Sequence, residues 1–379
     1  MGTGLRGLAT IGIADIASNG IAAIFWFYMA SLLGVDAYGK VSYFLAIGSI
    51  ASTVSLVGAS NMLSVYTAKN IKIEAPVFFI SIVAGCISSL VLYFIFHDIG
   101  TSIYAFGAVI FGLASFEVLG KKMYNSYTKY VITNKVLMVG LSIGFYYLSG
   151  WEGVILGIGL AFFPYSIRIY KGFKETNLDF SLIKPRFGFM INSFVLNLAG
   201  AINGSIDKII IAPILGYTVL GNYQLGLQFF SILQILPSIA YKYMLPHDAS
   251  GNPNKKLKMI IFLMSIGFAV IGIFFSPILI PIIFPKFIQA TEVIQIISLG
   301  TIPSSTILIY QSKFLGAEKS RFILTGSLIY IIMEVVLILA LGTNFGIRGV
   351  ATALVLAGTS EAIFYVIINR IFKETKTLG

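Results

Sequence analysis

Eight polar side chains of this chain sit inside long apolar runs: Asp15, Asn19, Asn197, Asn203, Asp207, Lys208, Glu334 and Glu361. A charge at the centre of a membrane-crossing helix costs roughly 2.5 to 3.5 kcal/mol, so such groups normally face a cavity or a partner. Asp15 and Asn19 are spaced i,i+4, as are Asn203 and Asp207, and each pair shares a helical face. Asn197, Gly204 and Lys208 fall along one stripe of a continuous helix. Asp207 and Lys208 are neighbours in sequence, diverge by about 100° and need not neutralise each other. Lys208 reads as the single cation well inside the membrane. Its ammonium either binds an anion in a wet cavity or pairs with Asp207, Asp15, Glu334 or Glu361; we take the cavity. Lys208, Asp207, Asn203, Asn197 and Asn19 are then the expected substrate-binding set. Asp15, Glu334 and Glu361 are protonatable carboxylates able to couple to an ion.

The elements that must position these groups are apolar spans at 8–33, 38–66, 75–96, 102–119, 131–149, 153–170, 188–215, 219–246, 257–275, 292–314, 321–341 and 347–370. Most match the roughly 17 to 25 residues of a bilayer crossing. Twenty-two of the 26 Lys and Arg fall in alternate gaps, whereas Lys40, Lys286 and Arg348 mark the opposite side. By the positive-inside rule both termini are cytoplasmic in a multi-pass protein of the cell membrane. With 57% hydrophobic and 11% charged residues and a mean hydropathy of +0.92, almost nothing is left for an aqueous domain. The net charge of +11 is spread over every inner border and forms no single patch, which argues against nucleic acid. No cleavable leader pattern precedes the first span, which is expected to be a retained helix.

The fold class is therefore all-α and polytopic, with twelve membrane helices. The turn sequence Leu33-Gly34-x4-Gly39 recurs in the second half of the chain as Leu215-Gly216-x4-Gly221. With six spans per half, this implies two parallel six-helix bundles, 1–170 and 188–379, around a central cavity and joined by an interfacial linker at 171–187. No metal-ligand spacing, catalytic triad or cofactor motif is present. Gly34-x4-Gly39-Lys40 lacks the magnesium-binding Ser or Thr of a phosphate loop. The stretch from Lys121 to Lys135, with Tyr124, Tyr127 and Tyr130, reads as a helix at the headgroup level. Glu117 and Lys121 are spaced for an ion pair, and the lone Cys86 is expected to be a small core residue.

Together, the two Leu-Gly-x4-Gly turns, Ile206-Asp207-Lys208-Ile209, Pro246, Phe284-Pro285-Lys286-Phe287 and Gly346-Ile347-Arg348-Gly349-Val350 resemble the polysaccharide transporter branch of the multidrug/oligosaccharidyl-lipid/polysaccharide exporter superfamily. The likeness extends over essentially the whole chain. It implies a MATE-like fold and a Wzx-type flippase, not an enzyme. The cargo is a lipid-linked oligosaccharide carried outward by alternating access for cell-surface glycan assembly. Membrane lipids and glycan-assembly enzymes are the implied partners, and Asp207 and Lys208 are the positions that match the family pattern. The basic residue often found before the first Leu-Gly is replaced here by Met29-Ala30-Ser31. An ion-coupled multidrug antiporter is the alternative on the same fold. A membrane glycosyltransferase or polymerase would need an aqueous domain that the loops do not provide.

Overall fold

The computed structural model describes residues 2–252 and 254–377, with side chains at 12, 17–252 and 254–371. The described residues form helices joined by short turns, without strands: α1 (Gly2–Leu33), α2 (Val35–Leu56), α3 (Ala59–Met62), α4 (Glu74–Phe96), α5 (Ile99–Gly120), α6 (Tyr124–Ser149), α7 (Trp151–Leu160), α8 (Ser166–Glu175), α9 (Phe187–Asn203), α10 (Ile206–Leu215), α11 (Tyr217–Leu233), α12 (Ile235–Ala249), α13 (Lys255–Ile283), α14 (Ala290–Ser298), α15 (Thr301–Gly316), α16 (Ser320–Leu337) and α17 (Thr343–Thr377). Each of the twelve expected spans falls on one helix or on consecutive helices. By length and apolarity, helices at Glu74–Phe96, Ile99–Gly120, Tyr124–Ser149 and Lys255–Ile283 each suffice to cross a bilayer unbroken.

Burial follows the logic of a lipid-solvated protein. Phe94 is 70% and Ile282 75% exposed, whereas Thr101, Ser142, Ser298, Thr301 and Ser305 are fully buried. In water that pattern would be inverted. Buried hydroxyls satisfy themselves on helix carbonyls: Thr301 Oγ1 donates to Ser265 O (2.8 Å) or Ser298 O (2.7 Å). Small residues let helix backbones approach one another. A Cβ on Gly58 would strike the Met190 carbonyl.

The chain packs into two compact units. Unit 1 comprises Met1–Tyr28 and Val41–Ser205; unit 2 comprises Met29–Lys40 and Ile206–Gly379. Within unit 2 the two Leu-Gly-x4-Gly turns meet. Gly34 (φ 76°) and Gly216 (φ 88°) both hold left-handed backbone that other residues avoid. A Cβ on Gly39 would strike the Tyr217 carbonyl, and one on Gly221 the Val35 carbonyl. Residues 35 and 217 correspond in the repeat, as do 39 and 221, so the same contact is made in both directions. Thr218 Oγ1 lies 3.4 Å from Oδ1 of its own counterpart, Asp36. This is the signature of a local two-fold relation between the copies. Lys40, the would-be phosphate-loop lysine, pairs with Asp36 at 2.9 Å.

A second repeat, not read from the sequence, relates the start of α7 in unit 1 to that of α17 in unit 2. Gly150-Trp151-Glu152-Gly153-Val154 opens α7, and Gly346-Ile347-Arg348-Gly349-Val350 lies at the start of α17. Gly150 (φ 67°) and Gly346 (φ 56°) both take positive φ. Gly153 packs on the Phe145 carbonyl and Gly349 on that of Leu341, in each case at the same separation along the chain. This pairing has its own offset, longer than that of the Leu-Gly turns.

Three expectations are corrected. The Lys121–Lys135 stretch is no separate surface helix: after a turn at Lys121 and Lys122 the chain enters α6 and runs unbroken to Ser149. No Gly or Pro between 121 and 139 gives it a place to stop. Cys86 is exposed rather than in the core. The seventh span is not one helix either, because α9 ends at Asn203 and α10 begins at Ile206, so the stripe from Asn197 to Lys208 is interrupted.

Candidate functional site

The break before α10 places Asp207 in a helical first turn, where orphan backbone N–H groups favour a carboxylate. Asp207 Oδ1 accepts from the Lys208 N–H at 2.8 Å. The Lys208 side chain folds back, bringing Nζ to 3.0 Å from Oδ1 and 3.3 Å from Oδ2. The expectation that adjacent residues diverge and need not neutralise fails here, because a four-carbon stem spans the separation. Both ends are largely shielded, at 15% and 6% side-chain exposure.

α16 packs beside α10 and brings a second acid. Glu334 is 1% exposed, accepts from the Tyr330 hydroxyl at 3.0 Å through Oε1, and leaves Oε2 with no partner among the described residues. Asp207 and Lys208 lie within its electrostatic reach. The fully buried Tyr223 of α11 stands beside Asp207, Glu334 and Tyr330. The cluster therefore gathers two acids, one ammonium and two phenols. Two carboxylates against one cation leave room for an exchangeable positive charge. Tyr223 and Tyr330 carry no sequence signal beyond the i,i+4 spacing of Tyr330 and Glu334.

Of the other expected residues, Glu361 lies within electrostatic reach of Tyr330 at the edge of this cluster, and the rest are placed elsewhere. Glu361 in α17 lies 2.8 Å from the Tyr365 hydroxyl. Asn197 donates to Ser60 Oγ at 2.5 Å, which gives it a packing role within unit 1. Asn19 and Asn203 are exposed. The side chain of Asp15 lies outside the described residues. Asn222, which replaces Lys40 in the repeat, is structural: it donates to Thr218 O (3.0 Å) and accepts from Ala290 N–H (3.1 Å).

Sequence reasoning placed Lys135 at the inner border and did not foresee the cavity it lines. Lys135 stands well inside the unbroken α6, about three turns from its start. It lines a cavity of about 290 Å³ in unit 1 with Trp26, Leu45, Tyr104, Phe111, Val131, Asn134, Met138, Ile158 and Phe162. No acid pairs with it among the described residues. The breaker-free run from Tyr124 signalled one continuous helix, whereas the other walls of the cavity come from residues distant in sequence.

Charges around the turn from α5 to α6 and along α8 form a network. The wholly buried Glu117 accepts from Arg168 Nε at 2.7 Å and from Arg168 Nη2, and lies 2.6 Å from Lys121 Nζ. Glu175 joins both cations. Burial disfavours the Lys121 ammonium, but its hydrogen bonds to Glu117 and Glu175 outweigh this and raise its pKa above the ordinary lysine value. The expected Glu117–Lys121 pair is thus part of a network.

In sequence the chain matches no family model and no curated protein. In three dimensions it resembles several solved transporters. Lipid II flippase MurJ in an inward closed conformation superposes with a TM-score of 0.79 at 14% identity, covering 95% of this chain and 87% of that one. An inward-facing multidrug resistance MATE family transporter of the MOP superfamily gives 0.69 at 14%, with 97% and 98% coverage. The MATE multidrug transporter DinF-BH in complex with R6G gives 0.62 at 16%, with 95% and 92% coverage. At these identities the likeness is one of fold: this chain has the all-α membrane fold shared by the MurJ and MATE transporters.

Proposed function

We propose that the protein is a flippase that moves a lipid-linked oligosaccharide from the cytoplasmic to the outer leaflet by alternating access, with both termini cytoplasmic. The observation that carries this reading is a pair of ammonium groups, Lys135 lining the unit 1 cavity and Lys208 in α10, in a membrane fold whose described residues are helices joined by short turns. The similarity to a solved lipid II flippase supports it. The sugar passes through the protein while the isoprenoid tail stays in lipid. A phosphate or pyrophosphate headgroup moving outward across an inside-negative potential gains roughly 2.3 kcal/mol per charge per 100 mV, so no nucleotide is needed. The cluster of Asp207, Lys208 and Glu334 is the place for ion coupling: a proton or sodium ion on the free Glu334 oxygen would neutralise the surplus acid. Asp15 and Glu361 are secondary candidates for that role, and Asn19, Asn197 and Asn203 for lining the path.

A multidrug antiporter remains the second reading, supported by one observation. The Asp207–Lys208 ion pair cancels the charge that would repel a cationic drug. The discriminating experiment is reconstitution in liposomes with a fluorescent lipid-linked oligosaccharide on one leaflet and an imposed potential. Movement of the headgroup above protein-free liposomes supports the flippase. No movement, with efflux of rhodamine 6G from the same preparation, supports the antiporter.

A further inference from the structure

The cavity of unit 1 holds a combination that helix packing alone does not require. Lys135 has no ion-pair or hydrogen-bond partner among the described residues, yet it lines an aromatic-walled cavity about three turns into α6. Beside it, Asn134 is 3% exposed and its Oδ1 also lacks a partner. An unpaired cation and an orphaned amide oxygen are each costly in a dry site, and both costs vanish if an anion with hydroxyl groups fills the space. The remaining walls are aromatic: Trp26, Tyr104, Phe111 and Phe162.

We propose that this cavity binds the phosphate-proximal sugar of the cargo, a specific assignment that rests on the flippase reading. Lys135 holds a phosphate oxygen as a point charge. Asn134 Oδ1 accepts from a sugar hydroxyl, and the aromatic faces cover the C–H face of the ring. The cavity volume of about 290 Å³ has room for one sugar with its phosphate and leaves the rest of the glycan outside. That size is at the small end of ligand pockets. The site therefore reads the first sugar and the linkage, not the whole oligosaccharide. An organic cation is disfavoured by the lysine.

The chain has two tryptophans, and only Trp26 lines the cavity. A Trp151→Phe background makes Trp26 a reporter in the full-length protein. The probe is a short-chain isoprenyl pyrophosphate carrying N-acetylglucosamine, with inorganic phosphate and rhodamine 6G as comparison ligands. Saturable change in Trp26 emission with the probe is expected, and Lys135→Met should weaken it at least about tenfold, as for loss of a charge-assisted contact. Lys135→Arg should retain binding, and Asn134→Leu should weaken the sugar probe while leaving the response to phosphate unchanged. Equal probe affinity in Lys135→Met overturns the assignment, as does tighter binding of rhodamine 6G than of the probe. If Asp15→Asn restores binding to Lys135→Met, the lysine serves an ion pair with Asp15 and the assignment also fails. Equal response to inorganic phosphate and probe would make this a free-anion site instead. Flipping that is normal in Lys135→Met, without any Trp26 response, overturns this inference alone; a wild-type protein that flips nothing overturns the flippase reading.

Discussion

The two polar regions draw on matching helices of the two repeats, yet they are built in opposite ways. Through the Leu-Gly repeat, Phe25 and Trp26 correspond to Asp207 and Lys208, while α6 and α16 each run toward the matching turns at Gly150 and Gly346. In unit 2 the polar groups engage one another: Lys208 pairs with Asp207, and Tyr330 donates to Glu334. In unit 1 aromatic, amide and thioether groups surround an open space, with Lys135 of α6 on its lining. The turns beside them did not diverge in this way. Gly150 and Gly346 keep positive φ, and Gly153 and Gly349 keep their carbonyl contacts. Backbone geometry constrains a turn absolutely, whereas the middle of a helix accepts any side chain whose charge is compensated. We read the unit 2 site as a charge balance and the unit 1 site as a receptacle.

The sharpest way to break this comparison is functional. Glu334→Gln should abolish the pH dependence of flipping in liposomes while probe binding at Trp26 is unchanged, and Lys135→Met should do the reverse; the same phenotype in both would mean one site, not two. Stability gives the next largest contrast. Lys208→Ala strands Asp207 beside Glu334 and should cost about 3–5 kcal/mol, read as a fall in the thermal midpoint in detergent. The double variant Asp207→Asn, Lys208→Met should recover most of that loss. Lys135→Met, which removes a charge with no partner among the described residues, should leave the midpoint unchanged or raise it. The local two-fold makes a smaller demand: Gly39→Val and Gly221→Val should each cost about 1–3 kcal/mol by overpacking, and by similar amounts. A large difference between them would dissolve the symmetry. Least affected should be Asp98→Ala. Asp98 caps α5 by accepting from Gly100 N–H (3.2 Å) and Thr101 N–H (2.8 Å). Losing that cap should lower stability by about 1 kcal/mol, with transport retained.

Hydropathy and charge, read along the chain, were enough to specify an all-α polytopic protein. Both signals are local: a long apolar run has no stable alternative to a helix in lipid, and basic residues stay where they are solvated. The Leu-Gly turns were legible for the same reason, since positive φ selects glycine. Tertiary packing decided the rest. Gly204-Ser205 is a local weak point, and the Gly204 and Ser205 N–H groups close the end of α9 on the Gly200 and Ile202 carbonyls, but what stands around the new helix start is decided by packing. The break puts Asp207 at a helix start and lets Lys208 fold back onto it. The surroundings of Glu334 depend on Tyr223, far away in sequence, and those of Lys135 on Trp26, Tyr104 and Phe162. A charge inside a membrane announces itself in sequence. Whether it is compensated depends on what packs around it in three dimensions.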